Sequence, residues 1–150
     1  MWPSLKPSQR ISLAGAINPQ SSVAAVQTGW IDASTFENFL AVVSVGALGT
    51  AATVDAKLQQ ATSSAGAGAK DVAGTAITQL TKAAANDNSQ VFINLNAAQL
   101  DTNNGFTFIR LLITPAVAAS LVSGEVYGVD AKQEQPGGSN NAASLLQTVN

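Results

Sequence analysis

The side chains able to carry chemistry in this sequence are nine carboxylates and seven cations; histidine and cysteine are absent. Without imidazole or thiol there is no Ser-His triad, no thiolate nucleophile and none of the usual zinc ligand sets. The carboxylates are Asp32, Glu37, Asp55, Asp71, Asp87, Asp101, Glu125, Asp130 and Glu134, spaced too widely for an Asp-x-Asp calcium loop. Asp87 and Asp101 stand in Asn-rich turns, where Asx hydrogen bonding is the expected role and a calcium or sugar site the alternative. A glycosidase-like pair assembled by folding has no favoured members. Gly66-x-Gly68 lacks the third glycine and the Lys-Ser/Thr pair of a phosphate loop and reads as a flexible turn. No serine sits in a Gly-x-Ser-x-Gly elbow. A Ser-Lys dyad would require Lys57, Lys70 or Lys82 to be buried with a depressed pKa. The expectation is a protein that is not an enzyme, with no cofactor and no metal site.

Two kinds of residue stand out as candidates for binding a partner. Arg110 lies in Phe106-Thr107-Phe108-Ile109-Arg110-Leu111-Leu112-Ile113, on the face shared with Phe106, Phe108 and Leu112. A buried unpaired guanidinium is costly, so Arg110 must reach a carboxylate, a surface edge or a neighbouring subunit. Trp30 closes a strand-like run and is expected to plug the core, with a sugar platform as the alternative. Trp2, in a proline-rich stretch with no local core, reads as an anchor for the body or another chain.

Strands must position these residues. Thr53 to Gln59 alternates strictly, with Val54, Ala56 and Leu58 on one face. Gln90 to Asn96 does the same, with Val91, Ile93 and Leu95 inward and Asn94 and Asn96 outward. Phe39 to Leu48 and Phe106 to Thr114 are apolar on both faces, as central strands are when something covers their second side. Val23 to Ile31 and Leu121 to Val129 complete the better runs, and Val72 to Leu80 is weaker because Gly74 interrupts it. Ala97 to Leu100 suggests one helical turn. Seven strands without a long amphipathic helix predict an all-β fold, a two-sheet antiparallel sandwich of jelly-roll or Ig-like type.

The 150 residues suffice for one domain with a core, since 46% are hydrophobic and 27 are alanine. Composition divides the chain into an N-terminal arm (1–22) with Pro3, Pro7 and Pro19, a sandwich (23–130) and a C-terminal tail (131–150). Charged residues are 11% of the total and the net charge is −2, which gives nucleic acid nothing general to bind. The longest apolar run, Phe39 to Val43, is far short of the ~20 residues that span a bilayer, so no membrane contact is expected. The start of the chain lacks the apolar stretch of a signal peptide, which predicts a soluble protein made in a cytoplasm, one that can still end in an extracellular particle without a secretion signal of its own.

Thr28-Gly29-Trp30-Ile31-Asp32, the run Phe39 to Leu48, Val54 to Thr62, and Gln99-Leu100-Asp101 leading into Gly105 to Leu111 give residues 23–130 a resemblance to a known family. They resemble the small Ala/Gly/Thr-rich β-sandwich virion proteins of tailed bacteriophages. The resemblance implies a capsid cement or decoration protein, with a head–tail or tail component as the neighbouring alternative. The partners implied are the major capsid protein and copies of the chain itself, in a homo-oligomer, with the virion as its location. Trp2, Leu5, Ile11 and Leu13 of the arm, Arg110, and Leu145 and Leu146 of the tail are the expected partner-binding residues. A carbohydrate-binding or host-attachment sandwich is the competing class and predicts exposed aromatics on a sheet face or loop rim.

Overall fold

Alternating side chains turn into two layers of antiparallel strands in the computed structural model, which describes residues 4–132 and 140–149. In chain order the elements are α1 (Pro7–Arg10), β1 (Ile11–Ser22), β2 (Val26–Gln27), β3 (Ile31–Asp32), β4 (Phe36–Val45), β5 (Thr53–Ala61), β6 (Lys70–Asp71), β7 (Leu80–Thr81), β8 (Gln90–Asn96), β9 (Phe108–Ala116) and β10 (Ser120–Ala131). One sheet has the order β1-β10-β4-β8. In the other, β9 and β5 form the centre, β2 and β3 both pair with β9, and β6 and β7 both pair with β5.

Taking β2 with β3, and β6 with β7, as single interrupted lanes gives two four-lane sheets. Numbered one to eight along the chain, the lanes run 1-8-3-6 in one sheet and 2-7-4-5 in the other. That is the order of an eight-stranded jelly roll, which decides between the two sandwich types expected from sequence. Between the layers lie Phe39, Ala41 and Val43 of β4, Val54, Ala56 and Leu58 of β5, Ile93 and Leu95 of β8, Ile109, Leu111 and Ile113 of β9, and Val122 and Val126 of β10. The strict alternation of Thr53 to Gln59 is realised without a slip along β5, against β9. Ala97–Gln99 forms a single 3₁₀ turn, begun by the Asn96 side chain, which accepts from the Ala98 N–H.

Half of the expected arm is part of the body. Ile11–Ser22 is a 12-residue edge strand paired with β10, and this corrects the reading of residues 1–22 as arm. Proline suggested otherwise. Yet Pro19 falls inside the register shift between Ile17 and Gln20 on an edge strand, where its missing N–H removes no ladder bond. Ser12, Gly15 and Ile17 are buried, so the strand closes one side of the core.

Val23 to Ile31 and Val72 to Leu80 are not continuous strands, and the cause is the same in both. Thr28, 4% exposed, accepts the Leu111 N–H on its Oγ1 at 3.1 Å, while its own N–H donates to Leu111 O. Thr75, 3% exposed, accepts the Leu58 N–H at 3.1 Å, and its hydroxyl donates to Val72 O at 2.8 Å. Leu58 and Leu111 are directly opposite each other in the β5–β9 ladder. A buried threonine on each flank therefore substitutes for the missing strand at the same row of the sheet.

Candidate interaction surface

Outward-facing positions of the four-stranded sheet form rows fixed by register. One row runs Leu13, Tyr127, Leu40, Asn94, and the next runs Ala16, Glu125, Val42, Phe92. A third, toward the start of β1, holds Ile11, Val129, Asn38 and Asn96. Ile11 is exposed and Phe92 is 66% exposed, while Leu13, Leu40, Val42, Tyr127 and Val129 are half-buried by their neighbours. Within these rows Glu125 is the one charged residue. Burial pushes the Tyr127 phenol above its ordinary pKa, and the Glu125 charge two residues away adds to the shift.

The tail meets this sheet at its β1 edge. The Leu13 N–H donates to Asn141 Oδ1 at 2.9 Å, and the Ala142 N–H donates to Leu13 O at 2.6 Å. Both groups of Leu13 point away from β10, so this pair of contacts covers one position of an otherwise open strand edge. Beyond it Leu145 is 38% exposed and Leu146 is 96% exposed. At the other end Leu5 is half-buried and its carbonyl accepts from Arg10 Nε at 3.2 Å. Trp2 lies outside the described residues. Ile11, Leu13 and the start of the tail thus gather at one sheet edge, with Leu146 directed off the body.

Arg110 is on the other sheet, outward and half-buried, as the alternation of β9 requires. Its Nε and Nη2 donate to Gln59 Oε1 at 2.9 and 2.7 Å, and its guanidinium lies 4.5 Å from the Trp30 ring centroid. Gln59 passes the contact on, donating to Asp71 Oδ1 at 3.0 Å, and Asp71 pairs with Lys57 at 2.7 Å. The partner of the guanidinium is therefore an amide backed by an ion pair, satisfied within the chain. Trp30 is neither a core plug nor an open platform. Arg110 covers one face of its ring, and a Cβ at Gly66 would collide with the indole nitrogen. Arg110→Lys, which loses both the fork and the stack, is expected to cost about 0.5–1 kcal/mol. Urea unfolding followed by tryptophan fluorescence measures it, and an unchanged midpoint would contradict the stacking role.

The other turn carboxylates hold the fold's own groups. Asp87 Oδ1 accepts from the Leu48 N–H and from Lys82 Nζ, both at 2.9 Å. Asp101 pairs with Lys70 at 2.5 Å and accepts from Asn104 Nδ2. Lys70 also lies 4.1 Å from the Phe106 ring centroid. Of the candidates for a Ser-Lys dyad, Lys70 and Lys82 are exposed and Lys57 is half-buried, and each is engaged with a carboxylate. Among the described residues there is no group of three or more acidic side chains placed to hold a metal ion.

These pairs set an acid response. Hydrogen bonds from Lys57 to Asp71, Lys82 to Asp87 and Lys70 to Asp101 hold all three carboxyls below their ordinary value. A depressed folded-state pKa stabilises the fold above the unfolded value of about 3.9, and that contribution is lost as pH falls through the folded values. The urea midpoint should be flat between pH 7 and 5 and fall below about pH 4. A midpoint unchanged down to pH 2.5 would contradict these pairings.

Sequence reasoning missed Phe92 and Gln59. The signal for Phe92 was present, since alternation in Gln90–Asn96 puts it on the side of Asn94 and Asn96. Gln59 carries no signal, because its pairing with Arg110 depends on the β5–β9 register. Comparison with family models, curated proteins and solved structures gives no match to this chain.

Proposed function

We propose that the protein is a structural virion component of the capsid cement or decoration type. It reinforces a phage head by covering surfaces of the major capsid protein and of its own copies. The observation that carries this reading is the outer face of the β1-β10-β4-β8 sheet. There Leu13, Leu40, Val42, Tyr127, Val129 and Phe92 form a band interrupted by a single charge, Glu125. An apolar band on a sheet face is suited to being covered by another protein. The jelly-roll order adds an analogy at the level of fold, because viral capsid domains and lectins both use it. The resemblance carried by Thr28 to Asp32 and Phe106 to Leu111 points the same way. The role is one of packing, with no reaction, cofactor, nucleic acid or membrane involved, and its place is the virion.

In this reading the sheet face docks, and the chain ends around Leu5, Leu145 and Leu146 add weaker contacts that gain from being tethered. The test is to titrate the purified chain onto heads of the phage that encodes it, prepared without this protein. The wild-type chain is expected to saturate a fixed number of sites. Leu40→Asp, at the centre of the band, should weaken binding by about 2 kcal/mol or more. Failure of the wild-type chain to bind would sink the cement reading; wild-type affinity in Leu40→Asp would remove the sheet face from it.

A second reading, a carbohydrate-binding or host-attachment module, is favoured by one feature. A hollow of about 560 Å³ is lined by Asn38, Asn94, Asn96 and Gln99. There Asn96 Nδ2 donates to Asn38 Oδ1, and Asn38 Nδ2 donates to Asp130 Oδ2, each at 2.9 Å. Four amide side chains lining one hollow are groups that bind sugar hydroxyls. A glycan-array signal abolished by Asn94→Ala would favour this module, and a blank array would exclude it for the glycans displayed.

A further inference from the structure

The free edge of β8 has hydrogen-bonding groups arranged to accept one more strand. Val45 N–H donates to Ser89 O, which fixes the phase of the β4–β8 ladder. Val91, Ile93 and Leu95 then exchange bonds with β4, and Gln90, Phe92, Asn94 and Asn96 turn their N–H and C=O outward. The Asn96 N–H is capped by Gln99 Oε1 at 2.8 Å, which confirms the phase and ends the open edge. Among the described residues nothing bonds to the outward backbone groups of Gln90, Phe92 or Asn94. A groove of about 450 Å³ runs beside them, between β8 and the segment containing Ile77 and Leu80.

Sheet edges are ordinarily protected by charge, proline, a bulge or a covering loop. β8 has none of these: Gln90–Asn96 holds no charged residue and no proline, and its register with β4 has no shift. The opposite edge of the same sheet, β1, carries Pro19, two register shifts and the tail contact at Leu13.

We propose that β8 pairs antiparallel with β8 of a second copy, about a two-fold axis at Phe92. In that register Phe92 faces its counterpart, and Gln90 faces Asn94 in both directions. All three open positions then exchange both backbone bonds, six in total, and the capped Asn96 is left out. Val91 comes opposite Ile93 on the groove side, and the two exposed Phe92 rings meet on the outer face. The edge is neutral, so a second copy brings no like charges opposite each other, although the chain is net negative. The two four-stranded sheets become one of eight strands, an isologous C2 interface. The inference deepens the proposed function, in which copies of the chain contact each other. It needs no capsid, so a monomer would overturn the dimer and leave head binding to its own measurement.

The test is sedimentation of the intact chain with single and mixed variants at Phe92. Wild type is expected at twice the 15.2 kDa chain mass. Phe92→Lys and Phe92→Glu should each be folded monomers, because Phe92 is exposed and each variant puts like charges across the axis. An equimolar mixture of the two should recover the dimer. A monomeric wild type would overturn the proposal. So would a dimer undisturbed by either charge, or a mixture that stays monomeric while circular dichroism shows both variants folded.

Discussion

Phe36→Ala is expected to lower the unfolding free energy by about 3–5 kcal/mol, a large part of the stability of a domain this size. Phe36 is 2% exposed and meets Phe39 edge to face, with ring centroids 5.7 Å apart and planes at 80°. By alternation from Asn38 and Leu40 it would point outward, yet it is buried because Gly128 on the neighbouring strand leaves room for the ring. A Cβ at Gly128 would collide with that ring. Gly128→Ala should therefore cost about 1–3 kcal/mol in the wild-type chain. Most of that cost should vanish in the Phe36→Ala background, where the ring is gone. Urea unfolding of the four proteins measures the coupling. Additive effects of the two substitutions would contradict the ring-over-glycine packing.

Replacing the two buried threonines by valine is the second large effect. Thr75→Val leaves the Leu58 N–H without its acceptor, and Thr28→Val does the same to the Leu111 N–H. Each orphaned buried donor is expected to cost about 1–3 kcal/mol, while valine keeps nearly the volume of threonine. The residues flank the β9–β5 pair on opposite sides, so their effects should add. Thr→Ser at either position keeps the acceptor and should recover most of the loss, which separates the hydrogen bond from packing. Amide hydrogen exchange at Leu58 and Leu111 gives the local readout: both should lose protection in the valine variants. Unchanged exchange there would show that the hydroxyls do not secure these groups.

The same residues explain what was legible in the sequence. β5 and β8 carry strict alternation, and β4 and β9 are apolar on both faces, so their existence and central or half-buried character could be read directly. β1 was hidden by Pro19 and its polar residues, because an edge strand tolerates what a central strand cannot. The lanes at Val23 to Ile31 and Val72 to Leu80 looked like strands by hydropathy. What interrupts them is a threonine hydroxyl bonding to a leucine 83 positions away in one case and 17 in the other. No local pattern contains such a bond. The choice of jelly roll over Ig-like order also depends on strand pairing across the chain.

The candidate binding residues fall in different parts of the fold for similar reasons. Ile11 and Leu13 were assigned to an arm and lie instead on the sheet face, where they remain available to a partner together with Leu40, Val42 and Phe92. Arg110, chosen as a charge in need of a partner, finds Gln59 and Trp30 within its own sheet. Leu145 and Leu146 follow a tail whose start is tied to Leu13, so their reach is shorter than that of a free segment. The scarcity of charge, which first only excluded chemistries, describes the rows of one sheet face and the open edge beside it.

The proposed virion role requires that a phage genome carry this sequence, and it is tested most directly by the protein content of that phage's purified particles. Quantitative mass spectrometry, with cryo-electron microscopy of the same heads, gives the copy number and position. The expected result is the intact chain at a fixed ratio to the major capsid protein, with the Leu13–Tyr127–Leu40 face against the shell. Particles that assemble at normal yield without the chain in them would contradict it.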